Sequence, residues 1–512
     1  MSKKGNIKMK KAIITLLAAS LAVGMIGGCG EKTEKKQGEE VTLKWVMPGP
    51  GKQKDSDEIW EAFNKELKTY PGLENVTVAF DIIPAGDYAQ KFLMAQTSGD
   101  PMDIIQTYTL DFTKEARNGT FAPLDEYLDN EMSDIKNDLP EFIMDYGKVD
   151  GSTYAIMNYQ MCPYMWALNI NKEIADKYID INELKTALSE KELNNKVYDI
   201  LEQLFDKADA NGELGMGFCP RANGYLFLRL ADRISPCFGL NVYDGQNKVE
   251  NIYTDMPFKE MCERMKAWYK KGYIRKDVLS VSDWSTDKDK EGGYLVYIDN
   301  NYQGKEEKTN VQTGVTNYVL YLYPNPIVPY KNAAGGNAIY ASSQNKEAAA
   351  KVINLLNSQK GKNLYNLLVW GQEGKHYNKI SEDKIETLGY TGQGNSSADY
   401  GLWKWVVGNT KYAYETQADP EGYKDFVFGE FNEGKNTVIS PIIGFKEDLT
   451  AYDANVSQIQ SVIKEYENPI SFGTVEDLNK TYNEFIEKLN TCGADKVKKE
   501  LQKQLDEYLA KK

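Results

Sequence analysis

The residues of this sequence that could do catalytic or metal chemistry are few and widely spaced. His376 is the single histidine, so a Ser-His-Asp triad or a histidine-rich metal site would have to use it. The segment Gly49–Lys52 lacks the length and the final Ser or Thr of a phosphate-binding loop. Five cysteines follow Cys29, and no two of them have CxxC spacing: Cys162, Cys219, Cys237, Cys262 and Cys492. We therefore expect no enzyme, no cofactor and no metal site.

One enzymatic alternative stays open in the sequence. A glycosidase needs two carboxyl groups about 5 to 10 Å apart across a groove, and the 75 acidic residues allow many such pairs. The formal net charge of −14 argues against nucleic acid as a partner, because an acidic surface repels phosphate groups. This charge does not exclude a neutral ligand.

Aromatic side chains are the other residues that could contact a ligand. The chain contains 34 tyrosines and 8 tryptophans, and such rings combine a large apolar face with a polar tip. Sugar rings have apolar C–H faces that stack on aromatic rings, while their hydroxyl groups form hydrogen bonds. Most of these residues must belong to the core, and the remainder are candidate stacking platforms for a carbohydrate.

The elements that would position these residues begin with a β-α-β-α-β pattern. Val41–Val46, Val76–Ile83 and Met102–Ile105 are predicted strands. The helix between the first two strands begins near Asp57, and Pro71 ends it. This alternation predicts a mainly parallel sheet covered by helices, in which ligands bind at the carboxyl ends of the strands.

The first 29 residues predict export and lipid attachment. Five lysines precede the apolar run Ala12–Ile26, which is shorter than the roughly 20 residues of a membrane-spanning helix. The next residues, Gly-Gly-Cys29, complete a sequence that resembles the lipobox of bacterial lipoproteins, in which the cysteine carries lipid. We expect residues 1–28 to be removed as a signal peptide and residues 29–40 to form a lipid-anchored flexible tether. The mature chain would then be held at the cell membrane on its extracellular face.

Several later segments resemble one family. Ala95–Leu128 (AQTSGDPMDIIQTYTLDFTKEARNGTFAPLDEYL) and Gly151–Ile156 (GSTYAI) resemble first-lobe signatures of extracellular solute-binding proteins of ABC importers, family 1. Gly336–Ser358 is similar to the strand and helix that follow the later crossovers between the lobes. Trp370–Tyr377 (WGQEGKHY) and residues 426–509 resemble parts of the LipO-like lipoprotein subgroup. The resemblance implies an α/β, two-lobed periplasmic-binding-protein-like fold with a hinge and a helical C-terminal extension.

The same resemblance implies a division of the chain into lobes. Residues 41–160 with 324–345 would form the first lobe, and residues 161–323 with 346–512 the second, including the C-terminal helical extension. The extension is expected to pack on the second lobe, and we expect a monomer. Thr474–Asp477 is a predicted capping box that opens one helix of this extension.

Candidate ligand contacts are aromatic and polar side chains on segments expected to face the cleft between the lobes. They are Trp45, Met47, Tyr108, Asp111, Tyr164, Trp166, Trp284, Asn300, Trp403 and Trp405. Trp403 and Trp405 occupy alternate positions, so on a strand their rings would point the same way. We expect at least two members of the set to touch ligand.

The function implied is that of a lipid-anchored solute-binding protein of an ABC importer. It would capture a sugar or oligosaccharide by hinge closure and deliver it to the permease in the membrane. A peptide or amino-acid-derivative ligand is the main alternative, and a fixed charge pair in the cleft, such as Asp111 with Arg117 or Arg221, would indicate it. A surface glycosidase and a non-transporting scaffold or sensor lipoprotein are the remaining alternatives.

Overall fold

The computed structural model of the chain describes residues 40–163, 166–190, 195–222, 231–281, 284, 292–300, 314–322, 325–331, 335–389, 397, 399–432 and 437–512. The predicted signal peptide, the lipobox residue Cys29 and the tether up to residue 39 lie outside the described residues, as does the candidate Tyr164. Among the helices in these ranges, none is both long enough and apolar enough to cross a membrane.

The strands of these ranges are short, apart from the first two. In chain order they are β1 (Val41–Gly49), β2 (Val76–Pro84), β3 (Ile104–Gln106), β4 (Lys148–Val149), β5 (Ser152–Thr153), β6 (Ala155–Met157), β7 (Trp166–Asn171), β8 (Phe218–Cys219), β9 (Ala231–Ser235), β10 (Phe238–Asn241), β11 (Val249–Asn251), β12 (Val296–Asn300), β13 (Asn317–Tyr321), β14 (Ile327–Val328), β15 (Gly336–Ile339), β16 (Tyr377–Lys379), β17 (Lys384–Thr387), β18 (Glu415–Thr416) and β19 (Val438–Ile439).

The α-helices are longest near the C-terminus. In chain order they are Ser56–Leu67, Ala85–Ser98, Phe112–Arg117, Asp125–Leu128, Ile135–Asp138, Glu141–Tyr146, Lys172–Tyr178, Ile181–Ser189, Asn195–Ala210, Phe258–Lys271, Lys346–Leu356, Lys362–Trp370, Lys404–Val407, Asp453–Ser471, Leu478–Thr491 and Ala494–Leu509. Short 3-10 helices span Pro220–Ala222, Val278–Ser280, Gln359–Gly361, Thr410–Tyr412 and Thr450–Tyr452, and a π-helix spans Asp425–Phe431.

The first lobe is built on a five-stranded sheet with the order β2-β1-β3-β15-β6. β1 is parallel to both β2 and β3, which is the arrangement that the opening pattern predicts. β15 returns late in the sequence and is antiparallel to β3 and β6. β1 extends to Gly49, beyond the predicted end at Val46, and its residues 45–49 are all buried.

Helices from two distant parts of the chain cover this sheet. Ser56–Leu67 buries Ile59 and Phe63, and the helix Lys362–Trp370 contacts it. Lys346–Leu356 contacts β15 of the same sheet. These contacts differ from the predicted division, which assigned all residues after 345 to the second lobe. The physical reason is burial. Seven residues of the helix Lys346–Leu356 are buried, so other elements must cover it on several sides, and the first-lobe sheet provides one of these covers.

The second lobe contains two further sheets. One has the order β13-β7-β12-β8 and is antiparallel except for the β12–β8 pair. The other is the antiparallel sheet β11-β10-β9. The helix Asn195–Ala210 contacts both Lys172–Tyr178 and Ile181–Ser189, and so completes one helical layer of this lobe.

The three C-terminal helices pack on elements of the second lobe. Asp453–Ser471 and Leu478–Thr491 contact the helix Phe258–Lys271, and Ala494–Leu509 contacts β11. The predicted capping box at Thr474 is wrong. Asp477 is the N-cap, because its carboxylate accepts a hydrogen bond from the backbone N–H of Lys480 at 3.0 Å.

Three chain segments cross between the lobes and are hydrogen-bonded to one another. Their described residues are 158–163, 325–331, and 432 with 437–445. β14 of the second segment pairs in parallel with β19 of the third. Asn432 of the third segment accepts from the backbone N–H of Cys162 at 3.0 Å and donates to the carbonyl of Gln160 at 2.7 Å. These bonds make the crossings one hinge rather than three independent linkers.

Asp232 attaches this hinge to the second lobe. It lies on β9, is 2% exposed, and accepts a hydrogen bond from the backbone N–H of Tyr330 at 2.7 Å. Its carboxylate also accepts from the Ser440 hydroxyl, so it contacts both the second and the third crossing. Burial raises the pKa of this carboxyl group to about 6.

We predict that the wild-type protein loses stability as the pH rises through the pKa of Asp232, and that the Asp232→Asn variant loses less. The pKa of about 6 in the folded state lies above the ordinary value of 3.8, so the folded state binds the proton more tightly than the unfolded chain. The free energy of unfolding should fall by about 1 kcal/mol between pH 5 and pH 7 through this group. Urea unfolding of both proteins at both pH values measures the difference. An equal fall in the two proteins would contradict this role of Asp232.

Candidate ligand-binding cleft

The turn after β3 carries the first residues of the candidate site. The backbone N–H of Tyr108 donates to the side-chain oxygen of Gln106 at 2.5 Å, and Thr109 has a positive φ of 64°. Asp111 then caps the helix Phe112–Arg117 by accepting from the N–H of Lys114 at 3.2 Å. The carboxyl end of β3 therefore holds Tyr108 and Asp111 in a defined turn, at the position where the sequence predicts ligand contacts.

A cavity of about 620 Å³ opens beside this turn. Residues 107–114 and Arg117 of the first lobe line one wall. Ile234–Pro236 of the second lobe and residues 446–450, which follow the third crossing, line the other. The cavity thus lies between the lobes, and both Tyr108 and Asp111 are part of its wall.

Three aromatic rings form a cluster at the Tyr108 side of this cavity, hereafter the aromatic cluster: Tyr108, Trp403 and Trp405. The rings of Tyr108 and Trp405 meet edge to face, with centroids 4.9 Å apart and an interplanar angle of 70°. Trp403 and Trp405 are stacked, with centroids 5.4 Å apart and an angle of 14°. Trp403 remains 36% exposed, so the cluster presents aromatic surface to solvent.

The backbone that carries the two tryptophans is a short helix and not the strand considered in the sequence analysis. Trp403 is the N-cap of the helix Lys404–Val407. The side chain of Asn158 donates to the carbonyl of Trp405 at 2.9 Å, and the Tyr365 hydroxyl donates to that of Lys404 at 2.6 Å. The rings are therefore held by side-chain bonds to their backbone, which keeps the cluster in place before a ligand arrives.

Trp45 and Met47 belong to the core and do not support the predicted ligand contacts. Both are 0% exposed, and the indole N–H of Trp45 donates to the side chain of Asn337 at 3.1 Å. The reason is that β1 stays paired with β2 as far as Gly49, so both residues lie within the sheet rather than at its end.

The second-lobe candidates do not join the aromatic cluster. Trp284 is 9% exposed and packs between the rings of Tyr294 and Phe472, so it is a core residue. Trp166 and Asn300 are backbone partners in the pairing of β7 with β12. Trp166 is not among the residues that line the cavity, and of the aromatic cluster only Tyr108 is.

Among the described residues that line the cavity, Arg117, Lys331 and Glu447 form ion pairs within the protein. The Arg117 guanidinium binds both carboxylate oxygens of Asp150, at 2.9 and 3.0 Å, and the Lys331 ammonium binds Glu447 at 2.6 Å. Asp111 caps a helix, and Arg221 is exposed in a 3-10 helix. An ion pair of Asp111 with Arg117 or Arg221 would indicate a peptide ligand. In the structure these three residues have other roles instead.

His376 is a buried residue with a structural role. It is 1% exposed, its Nδ1 accepts from the backbone N–H of Gln372 at 3.0 Å, and its Nε2 lies 3.2 Å from the Asp55 carboxylate. The backbone of Gly371 has a positive φ of 82°, and a Cβ there would lie 2.5 Å from the imidazole ring. This close contact fixes the ring against its own loop.

Sequence reasoning missed the segment that follows the third crossing. Lys446, Glu447 and Asp448 line the cavity, although the resemblance assigned them to the C-terminal extension. Burial lowers the pKa of Lys446 to about 8. A signal was available in the sequence, because four charged or polar residues lie close together directly before a long helix: Lys446, Glu447, Asp448 and Thr450.

Comparisons with known proteins agree with this architecture. The sequence profile of bacterial extracellular solute-binding proteins matches residues 51–363, and a domain family of unknown function matches residues 441–510. A carbohydrate ABC transporter substrate-binding protein of Streptococcus pneumoniae serotype 4 is 27% identical over 516 residues, which cover 98% of this chain and 97% of that protein.

Solved structures share the whole fold. The N-glycan transport solute binding protein NgtS from Streptococcus pneumoniae has a TM-score of 0.74 at 24% identity, over 92% of this chain and 99% of that chain. The same protein in complex with Man5GlcNAc has a TM-score of 0.64 at 25% identity, with the same coverage. An HMO-binding solute binding protein from Bifidobacterium longum infantis has a TM-score of 0.61 at 15% identity, over 92% and 100%. These matches confirm the predicted two-lobed fold and the resemblance to this family.

We predict that Trp45→Ala lowers the free energy of unfolding by about 3 to 5 kcal/mol, since it empties a fully buried tryptophan site and removes the hydrogen bond from the indole N–H to the side-chain oxygen of Asn337. Chemical denaturation of the variant measures this loss. As a matched control, Trp403→Ala removes a partly exposed ring and should cost clearly less. Equal losses in the two variants would contradict the assignment of Trp45 to the core.

Proposed function

We propose that this chain, which belongs to the family of bacterial extracellular solute-binding proteins, captures an oligosaccharide between its lobes for an ABC importer. As a member of this family it is a binding protein and not an enzyme. The observation that carries the proposal is the aromatic cluster beside a cavity of about 620 Å³ whose walls come from both lobes. Its volume lies within the range of small-molecule sites, roughly 300 to 1,000 Å³.

The chemistry of the cavity suits a carbohydrate. Stacked and exposed rings offer apolar faces for the C–H faces of a pyranose ring. Asp111, Thr113 and Gln460 add polar groups to the lining, which can bond to hydroxyl groups. Arg117, Lys331 and Glu447 of the lining are already paired with charges of the protein, so they are not free to bind the charged ends of a peptide, whereas a neutral, hydroxyl-rich ligand does not need them.

The relatives support an oligosaccharide rather than a single sugar. The similar structure of NgtS was solved in complex with Man5GlcNAc and with Man1GlcNAc, and the relative from Streptococcus pneumoniae is described as a carbohydrate transporter component. An oligosaccharide reaching from the aromatic cluster to the opposite wall would contact both lobes at once.

Hinge closure is the proposed mechanism of capture. A ligand that touches both walls stabilises the closed arrangement by its difference in affinity for the closed and open states. The bonded crossings at β14, β19 and Asn432 supply the hinge about which the lobes would turn. The closed form would then be the one that the permease subunits recognise.

Lipid attachment at Cys29 is the proposed way in which the protein stays near its permease. The lipobox-like end of the N-terminal segment supports it, together with the extracellular setting of the family. The residues between Cys29 and β1 would serve as the tether.

Replacing a ring of the aromatic cluster should weaken glycan binding. We expect Trp403→Ala, Trp405→Ala and Tyr108→Ala each to lose about 1 to 3 kcal/mol of binding free energy, or roughly 5- to 150-fold in affinity. Calorimetry with Man5GlcNAc as the probe, at low and high salt, measures this loss. A neutral ligand should bind with nearly the same affinity at both salt concentrations.

The matched control for these variants is Trp284→Phe, which alters a buried tryptophan of the second lobe and should leave the affinity unchanged. If the three cluster variants bind the glycan as the wild type does, while Asp111→Asn abolishes binding in a salt-sensitive way, the carbohydrate proposal is wrong and the peptide alternative takes its place.

The Cys29→Ala variant should be released from the membrane, since no thiol remains to accept lipid. Fractionation of cells that express each form, followed by a salt wash of the membranes, tests the lipid anchor. A variant that still sediments with washed membranes would contradict the lipoprotein proposal but not the proposed binding function.

A further inference from the structure

Lys446 differs from Arg117 and Lys331, the paired cations of the cavity wall, because it has no acidic partner, and from the exposed Lys114 because it is half-buried. Its ammonium group donates to the backbone carbonyl of Tyr146 at 3.2 Å, and both residues line the cavity. Within the described part of the chain, no carboxylate oxygen lies within ion-pair distance of this ammonium group. One accepted hydrogen bond leaves two of its three N–H donors for other partners.

The charges around Lys446 are already matched with one another. Arg117 binds Asp150, Lys331 binds Glu447, and Lys148 binds Asp145 at 2.8 Å. Asp448, another acid of the cavity wall, accepts a hydrogen bond from the backbone N–H of Thr450 at 3.0 Å. Lys446 is therefore a cation without an acidic partner of its own, in the wall of a cavity of an acidic protein.

A half-buried ammonium group without an acidic partner is costly, and the titration of Lys446 reflects this cost. Burial lowers its pKa to about 8 from the ordinary value of 10.5. Glu447 and Asp145 raise the pKa, whereas Lys331 and Arg117 lower it. The group is thus mainly protonated at pH 7 and mainly neutral above pH 9.

We infer that Lys446 is a specificity-determining ligand contact, whose ammonium group donates charge-assisted hydrogen bonds to the hydroxyl oxygens of the captured glycan. This inference rests on the proposed function and extends it. The aromatic cluster, which reaches the cavity through Tyr108, takes the apolar face of one sugar ring, while Lys446 takes the hydroxyl-bearing edge of a ring inside the cavity. Because Lys446 follows the third crossing and the cluster belongs to the first lobe, one glycan would bridge both sides of the hinge.

The inference implies that glycan affinity depends on pH in the range where Lys446 titrates. Hydrogen bonds from an ammonium group are stronger than those from a neutral amine, so the ligand prefers the protonated form. Affinity for Man5GlcNAc should fall about fivefold to tenfold between pH 7 and pH 9.5. Because binding stabilises the ammonium form, the protein should take up a fraction of a proton per glycan near pH 8.

The test is calorimetry with Man5GlcNAc at pH 7, 8 and 9.5, in two buffers of different ionisation enthalpy. Lys446→Met should lower the affinity at pH 7 about fivefold to tenfold and abolish both the pH dependence and the proton uptake. Lys446→Arg keeps its charge at pH 9.5 and should hold its affinity there. Thermal unfolding checks that Lys446→Met is folded, and removal of an unpaired buried cation is not expected to lower stability.

The matched control is Lys331→Met, which removes a lysine of the same cavity that already has Glu447 as its partner. This variant should keep the fall in affinity at alkaline pH, displaced to higher pH because Lys331 lowers the pKa of Lys446. If Lys446→Met binds Man5GlcNAc with the wild-type affinity and pH profile while Trp405→Ala loses binding, the role of Lys446 is wrong and the proposed function stands. If the wild-type protein does not bind Man5GlcNAc or any other oligosaccharide of a screened panel, both fall together.

Discussion

The buried side-chain amide of Asn337 is the contact on which the geometry of the cleft depends. It is 1% exposed, accepts from the Trp45 indole at 3.1 Å, and donates to Asn158 at 3.1 Å and to the carbonyl of Val407 at 3.0 Å. These bonds join β1, β15, the first crossing and the helix that carries Trp405. Because an unsatisfied buried amide costs about 1 to 3 kcal/mol, the segments are held in one arrangement, and the ring of Trp405 is held against Tyr108.

The two walls of the cleft differ in chemistry and in what supports them. The first-lobe wall carries the aromatic residues Tyr108 and Phe112 among polar and charged ones, and it follows β3 of the five-stranded sheet. The facing wall is charged, and it follows the third crossing, which Asp232 and Asn432 bond to the second lobe and to the first crossing. In the proposed mechanism this contrast has a consequence: a ligand that satisfies both walls binds the closed arrangement better than the open one, and this difference drives closure.

Much of the fold follows from patterns that the sequence displays locally. The strands β1 and β2, the helix that begins at Ser56 and the amphipathic C-terminal helices lie close to where periodicity places them, because the side-chain repeat is a property of each segment. The errors have a different origin. The first strand was predicted to end at Val46, yet β1 stays paired with β2 as far as Gly49. The helix Lys346–Leu356 was assigned to the second lobe, yet it contacts β15 of the first-lobe sheet, because an apolar pattern does not specify which sheet it will cover.

The sequence by itself determined the α/β pattern, the parallel opening of the first sheet, the family resemblance and the presence of more aromatic residues than a core explains. Only the tertiary structure decided which of those residues meet. Trp45 and Trp284 are buried, whereas Tyr108 and Trp405, far apart in the chain, share one cluster. The unmatched charge of Lys446 was also invisible, since Arg117, Lys331 and Glu447 come from separate segments. Local geometry sets periodicity, but burial and charge pairing depend on contacts between distant parts of the chain, and these exist only in the folded protein.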